Sequence, residues 1–235
     1  ILRSEFGAGK SYYYTILEAI ATSHTKFSEI ASFMGRNPTA ITPFMDDVVN
    51  YYEMIDRLVP VTQRKAKSRN TSYVIKNPLF RFWFKYVYPH LSYFENGDYE
   101  YVIKKVDLTI NSFFGKGFEI VCEEVLKELN AQNKLPFRFH KSGSEWGKDT
   151  NRDVFEIDIA AFNEDTREIL FCECKWKENV NAKKILAELK EKAKFVQWNN
   201  DKRKEYYVLF AKSFKEKLKE PGVMLFDLKD LENLF

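Results

Sequence analysis

Two short runs in the second half of the sequence combine carboxylates and a lysine in an alternating pattern. Glu156 and Asp158 lie between apolar residues in the first run, and Glu173 and Lys175 do so in the second. Alternation with a period of two is typical of β-strands, in which residues i and i+2 face the same side. We therefore expect each pair to share one face of its strand. The opposite face of the first strand would carry Phe155, Ile157, Ile159 and Ala161.

The short polar linker at 163–168 predicts that the two strands form a hairpin. With a turn symmetric about Asp165-Thr166, Asp158 lies opposite Glu173 and Glu156 lies opposite Lys175. Directly opposed Cβ atoms in such a pair are about 5 Å apart. Two carboxylates at that distance repel each other unless one is protonated or a cation lies between them.

A hard divalent cation, Mg²⁺ or Mn²⁺, bridged by Asp158 and Glu173 would resolve this repulsion with the oxygen ligands that such ions prefer. Lys175 would lie about 7 Å along the same strand face. A bound metal polarises a phosphate and lowers the pKa of a water, and a lysine stabilises developing charge. The pattern therefore favours metal-assisted phosphodiester hydrolysis.

The alternative interpretation is an ordinary hairpin in which Glu156 and Lys175 form a surface ion pair and the acids are solvated. The Glu-x-Lys sequence lies within the apolar run 169–176, which argues against a solvated face.

Other elements of this half predict a three-layer α/β domain. A helix over 116–130 would place Glu119 beside its apolar face. The remaining elements are a helix capped by Asn181, a strand at 206–210, a basic helix at 213–220, a strand at 223–226 and a final helix capped by Asp227.

The first third has the element order of a winged helix-turn-helix. Helical spacing predicts helices over 11–22, from Thr25 to Met34 and from about 38 to 49, followed by β runs at 58–62 and 71–75. The basic segment between the β runs carries Arg64, Lys65, Lys67 and Arg69, which we expect to contact DNA phosphates. The exposed pair Asp46-Asp47 on the third helix would repel phosphate, so a protein-docking role remains open for this module.

Composition excludes several classes of protein. Hydrophobic residues make up 45% of the 235 residues and charged residues 30%, as in a soluble globular protein. No apolar run approaches the about 20 residues of a membrane span, so we expect no membrane association. Three cysteines fit a reducing, cytoplasmic setting rather than a disulfide framework. Gly9-Lys10-Ser11 lacks the first glycine of a phosphate-binding P-loop, because Ser4 occupies that position.

Glu156-Ile157-Asp158 with Glu173-Cys174-Lys175-Trp176 resembles the PD-(D/E)XK restriction-endonuclease-like superfamily. Together with the winged helix and the run 77–84, the chain resembles the C-terminal region of archaeal DEXX-box AAA-type ATPases. The resemblance implies that Asp158 and Glu173 are metal ligands, Lys175 the catalytic lysine and Glu119 an auxiliary acid. It also implies an upstream ATPase domain that would bind ATP, which agrees with a sequence that does not begin with Met.

The expected organisation is a winged helix-turn-helix at 1–76, a helical connector at 77–110 and a nuclease-like domain at 111–235. The expected function is DNA binding and Mg²⁺-dependent DNA cleavage beside an ATPase module, and a homo-oligomer is among the expected states. A catalytically inactive module that binds DNA or protein and regulates the ATPase is the alternative.

Overall fold

The computed structural model describes residues 10–63 and 70–234. The chain divides into two units. The first contains the described residues of Ile1–Leu58 and Arg69–Ile110, and the second contains those of Val59–Ser68 and Asn111–Phe235. The segment 77–110, predicted as a connector, falls in the first unit, and residues 59–63 fall in the second.

The first unit begins with helices and continues into a small sheet. The helices are α1 (Lys10–Ala21), α2 (Phe27–Phe33) and α3 (Pro38–Asp46), and a π-helical turn (Asp47–Tyr51) follows. Strands β1 (Ile55–Leu58) and β2 (Ser72–Ile75) pair in antiparallel fashion. Buried side chains of the helices and of both strands, such as Leu17, Ile41 and Ile75, form one core.

The first strand of this pair lies earlier than the sequence pattern predicted. The strand ends at Leu58, and the predicted run 58–62 is mostly not a strand. Pro60 has no N–H to contribute to a ladder. The N–H of Val61 donates instead to the carbonyl of Ser144 at 3.0 Å, within the second unit.

Short helical segments precede one long helix. They are α4 (Pro78–Phe82), a π-helical turn (Trp83–Val87), a 3₁₀ turn (Tyr88–His90) and α5 (Leu91–Glu95), and α6 spans Tyr99–Ala131. Within this aromatic stretch, Phe84 and Tyr86 are buried and Trp83 is exposed. None of the helices in the described part of the chain is long and apolar enough to cross a membrane.

The second unit is built on a five-stranded mixed sheet, which confirms the predicted α/β class. Its strands are β3 (Lys141–Lys148), β4 (Val154–Asn163), β5 (Glu168–Lys175), β6 (Lys204–Ala211) and β7 (Val223–Phe226). They lie side by side in this order; β3, β4 and β5 are antiparallel, whereas β5, β6 and β7 are parallel.

Helices cover both faces of this sheet. Residues of α6, including Phe118 and Cys122, pack on one face together with α8 (Leu228–Glu232), and Leu186 and Leu189 of α7 (Ala182–Ala193) pack on the other. The unit therefore has three layers, with β5 in the middle of the sheet.

Both predicted caps are present, but one predicted helix is not. Asn181 accepts the N–H of Lys184 at the start of α7, and Asp227 accepts the N–H of Asp230 at the start of α8. The segment 213–220, predicted as a basic helix, is irregular. Its first residues bond to the loop before α7, since the Val180 carbonyl accepts the Lys215 N–H.

Candidate active site where two central strands separate

A β-bulge in β4 lies at Asp158. Gly143 of β3 pairs with Ala160, whereas Glu145 pairs with Ile157, so Ser144 alone lies opposite both Asp158 and Ile159. Bulges of this kind change the direction of a side chain and are common beside active sites.

The bulge overturns the prediction that the apolar residues of β4 share one face. Phe155 and Ile157 pack in the core under α7, whereas Ile159 and Ala161 pack in the core under α6. The extra residue of the bulge is not visible in the sequence, because apolar and polar residues alternate regularly both before and after it. Counting from Ile157 places Asp158 on the α6 face.

The ladder between β4 and β5 ends next to the bulge. Its pairs are symmetric about Asp165-Thr166, as predicted, from Asn163↔Glu168 to Ile159↔Cys172. The predicted pair of Asp158 with Glu173 would be the next one, but the ladder stops before it. The Asp158 Oδ2 atom instead accepts the backbone N–H of Cys174 at 2.7 Å.

Glu173 is the most deeply buried carboxylate of the site, with only 6% of its side chain exposed. Its Oε1 atom accepts a hydrogen bond of 2.6 Å from the Lys175 ammonium. The Lys192 ammonium of α7 lies 3.0 Å from both Oε1 and Oε2. A carboxylate removed from water in this way requires such compensation.

Glu119 on α6 forms a second group of charges beside Asp158. The Lys116 ammonium lies 2.7 Å from Glu119 Oε2 and 3.4 Å from Glu156 Oε1. The predicted alternative of a Glu156–Lys175 surface ion pair is therefore wrong, since Glu156 pairs with Lys116 and Lys175 pairs with Glu173. The physical cause is the end of the ladder, after which the two strands no longer hold those residues opposite each other.

The charges of these groups influence one another's pKa values. Burial raises the pKa of Asp158 to about 8, and the negative charges of Glu173 and Glu119 act in the same direction. Burial also raises the pKa of Glu119, although Lys116 opposes this shift. For Lys175, burial alone would lower the pKa, but the hydrogen bond and charge of Glu173, with Asp158, raise it above its usual value.

The donor set fits an open magnesium or manganese site. Asp158 and Glu173 supply carboxylate oxygens, the ligands these ions prefer, and Mg²⁺ in phosphate-processing sites is held by one or two carboxylates while waters and substrate phosphates complete its shell. Among the residues that the structure describes, no three His, Cys, Asp or Glu side chains converge so as to hold a metal by themselves.

Of the predicted site residues, Glu173 pairs with Lys175, and the charges of Glu173 and Glu119 act on Asp158; their roles as metal ligands, catalytic lysine and auxiliary acid stay predictions. The predicted DNA-binding residues Arg64, Lys65, Lys67 and Arg69 lie outside the described residues.

Sequence reasoning missed Lys116 and Lys192. Lys116 precedes Glu119 by three positions on a helix, a spacing that allows an ion pair and could have identified it. Lys192 carries no such signal, because its contact with Glu173 depends on how α7 packs on the sheet.

The fold and the site define a class of protein: a three-layer α/β domain with a carboxylate–lysine site where two central strands separate. Comparison with known proteins finds a family model that matches part of the chain. Residues 83–185, which include Asp158, Glu173 and Lys175, match the model of DUF234, a family described as archaeal and bacterial proteins of unknown function.

One curated relative covers most of the chain. It is the uncharacterized protein MJECL04 of Methanocaldococcus jannaschii, which is 36% identical over 220 residues, or 93% of this chain and 47% of the relative. The chain therefore spans about half the length of that relative. No solved structure matches the chain.

Proposed function

We propose that this chain is a divalent-cation-dependent DNA nuclease module that works beside an AAA-type ATPase module in a longer archaeal protein. The observation that carries the proposal is the convergence of Asp158 and Glu119 with the buried Glu173–Lys175 pair beside a β-bulge. The resemblance to the PD-(D/E)XK superfamily assigns a catalytic role to the same four residues.

In this proposal, Asp158 and Glu173 hold Mg²⁺ or Mn²⁺. Such an ion, when bound, polarises a phosphate and provides a water of lowered pKa. Lys175 keeps its charge, because its pKa is raised, and its ammonium can stabilise the negative charge that develops on a phosphate. Burial raises the pKa of Glu119, so its carboxyl retains a proton at higher pH than a solvated glutamate does and is a candidate general acid.

The basic segment is the proposed DNA contact. The N–H of Thr62 donates to Glu145 Oε2 at 3.0 Å, and its hydroxyl donates to Oε1 at the same distance. Glu145 is next to Ser144, the residue opposite the bulge. Four basic residues follow Thr62 in the sequence, and in this proposal they contact the phosphates of bound DNA: Arg64, Lys65, Lys67 and Arg69.

The link to an ATPase rests on the family resemblance and on the greater length of the relative from Methanocaldococcus jannaschii. In this proposal, ATP binds to the part of the longer protein that this chain does not include.

A cleavage assay tests the nuclease proposal. The chain is incubated with supercoiled, linear and single-stranded DNA in Mg²⁺, in Mn²⁺ and in EDTA. We expect cleavage of at least one DNA form that requires the cation and is lost in Lys175→Met. Lys177→Met is the matched control, because Lys177 is exposed two residues further along the chain. No cleavage of any form, or equal cleavage by Lys175→Met and wild type, contradicts the proposal.

One observation favours a second candidate, a non-catalytic DNA-binding regulator of the ATPase. Glu173 is already paired with two ammonium groups, so its charge is compensated without a metal. This candidate predicts salt-sensitive DNA binding that survives Asp158→Ala and weakens when Arg64, Lys65, Lys67 and Arg69 are replaced. Binding that does not respond to salt, or no binding, would exclude it.

A further inference from the structure

The ammonium of Lys192 contacts both oxygens of the Glu173 carboxylate. Its Nζ atom lies 3.0 Å from both Oε1 and Oε2, whereas Lys175 contacts Oε1. An ammonium that is equidistant from both oxygens occupies the position in which a cation binds a carboxylate through both oxygens. Lys192 therefore occupies both of the oxygens through which Glu173 would bind a metal.

The surroundings of Lys192 allow it to leave this position. Its side chain is 32% exposed, whereas that of Glu173 is 6% exposed. Lys192 lies between the buried residues Leu189 and Ala193 of α7, and a long lysine stem can carry its ammonium into water while its methylene groups remain on apolar surface. The ammonium can thus move without opening the core, whereas the carboxylate cannot.

Charge makes joint occupancy unfavourable. Glu173 carries one negative charge and already faces two ammonium groups, so a divalent cation on the same oxygens would add two further positive charges at close range. Like charges this close together repel each other strongly near a protein surface, where the effective dielectric constant is well below that of water. Binding of the metal therefore requires one ammonium group to move away. The ammonium in contact with both oxygens is that of Lys192.

We propose that Lys192 is the resident counter-ion of Glu173 and that a divalent cation binds the site by displacing it. This inference rests on the proposed function, since it takes Glu173 as a metal ligand. Lys192 thereby acts as a positioning residue: it keeps the buried carboxylate in place before the metal arrives, and it sets the affinity for that metal by competing with it.

Calorimetric titration of the chain with Mn²⁺ tests this competition. We expect Lys192→Met to bind Mn²⁺ with the same stoichiometry as wild type and at least about tenfold more tightly, because a competing charge is removed. Lys184→Met is the matched control, since Lys184 lies on the same helix with 72% of its side chain exposed, and its dissociation constant should equal that of wild type. An unchanged or weakened affinity in Lys192→Met overturns the inference.

A measurement on the wild type avoids dependence on the folding of the variant. Reductive methylation of lysines, read by mass spectrometry of peptides, is performed in EDTA and in Mn²⁺. We expect Lys192 to react several-fold faster in Mn²⁺ because its ammonium is released, while Lys184 reacts equally in both. Equal protection of Lys192 in both conditions overturns the inference.

The two proposals fail in distinguishable ways. If Mn²⁺ binds neither wild type nor Lys192→Met, the metal site itself is rejected and the counter-ion role with it. If wild type binds Mn²⁺ and Asp158→Asn does not, but Lys192→Met matches wild type, only the counter-ion role is rejected.

Discussion

The carboxylate of Asp158 accepts the backbone N–H of Cys174 at 2.7 Å, at the point where the ladder between β4 and β5 ends. A side chain of one strand thus takes the role that a backbone carbonyl plays in the rest of the ladder. Because Cys174 lies between Glu173 and Lys175, this bond fixes Asp158 relative to both. The geometry of the site is therefore set by the fold before any ligand binds.

The stability of the metal-free protein should fall as the pH rises from about 4 to about 8. The pKa of Asp158 is raised from 3.8 to about 8 in the folded chain, first by burial and then by Glu173 and Glu119. Below pH 4 the carboxyl is protonated in both folded and unfolded chains. Between the two pKa values only the folded chain holds the proton, so each rise in pH favours unfolding, with a slope approaching about 1.4 kcal/mol per pH unit. Urea denaturation in EDTA across this range measures the effect.

Asp158→Asn should flatten this pH dependence, since an amide does not titrate there. Asp201→Asn, a change at an exposed position, should leave it as in wild type. If Asp158→Asn and wild type show the same slope, the pKa of Asp158 is not the cause.

Lys175→Met should lower the rate of DNA cleavage by about 100-fold or more, in keeping with the loss of one group that stabilises charge in the transition state. Manganese affinity should be retained, because Asp158 and Glu173 remain, and Lys192 still satisfies Glu173 in the metal-free state. Single-turnover cleavage and calorimetry measure the two properties separately. Loss of metal binding together with cleavage would show that Lys175 maintains the site and does not act on the substrate.

Thr62→Val should destabilise the protein by about 1–3 kcal/mol, the usual cost of leaving a buried acceptor without its donor. Glu145 is only 3% exposed, and the Thr62 hydroxyl donates to its Oε1 atom. Urea denaturation at neutral pH measures the change. Thr42→Val is the control, because the Thr42 hydroxyl is exposed and bonds to a carbonyl of its own helix; equal effects of the two substitutions would contradict the buried bond.

The three cysteines should react slowly with a thiol reagent in the folded protein. Cys122, Cys172 and Cys174 are free and buried. Burial raises the pKa of Cys122 and Cys172. For Cys174, burial acts in the same direction, but hydrogen bonds from the other two thiols lower its pKa to about 5. Because reaction needs access as well as a thiolate, we expect burial to prevent almost all reaction at pH 7.5 and all three thiols to react after unfolding in guanidinium. A rapidly reacting thiol in the native protein would contradict this packing.

The sequence predicted the parts of the fold that depend on local patterns. The turn at Asp165-Thr166, the caps at Asn181 and Asp227 and the helix carrying Glu119 follow from local polar and apolar spacing. The bulge at Asp158 depends on pairing with β3, a strand for which the sequence pattern gave no signal.

The charge pairs of the site were harder to predict than its members. Residue types and spacing predicted Asp158 and Glu173 as candidates, but the partners of Glu173 come from two elements. Lys175 lies two residues away on the same strand, whereas Lys192 reaches Glu173 through the packing of α7 on the sheet, which local spacing does not encode.

The most direct test of the central claim is calorimetric titration with Mn²⁺ of wild type, Asp158→Asn and Glu173→Gln, with Asp201→Asn as control. We predict that wild type and the control bind one Mn²⁺ with equal affinity, and that each of the other two variants binds at least about tenfold more weakly. Equal affinity in all four proteins, or no binding to wild type, would show that Asp158 and Glu173 do not share a cation.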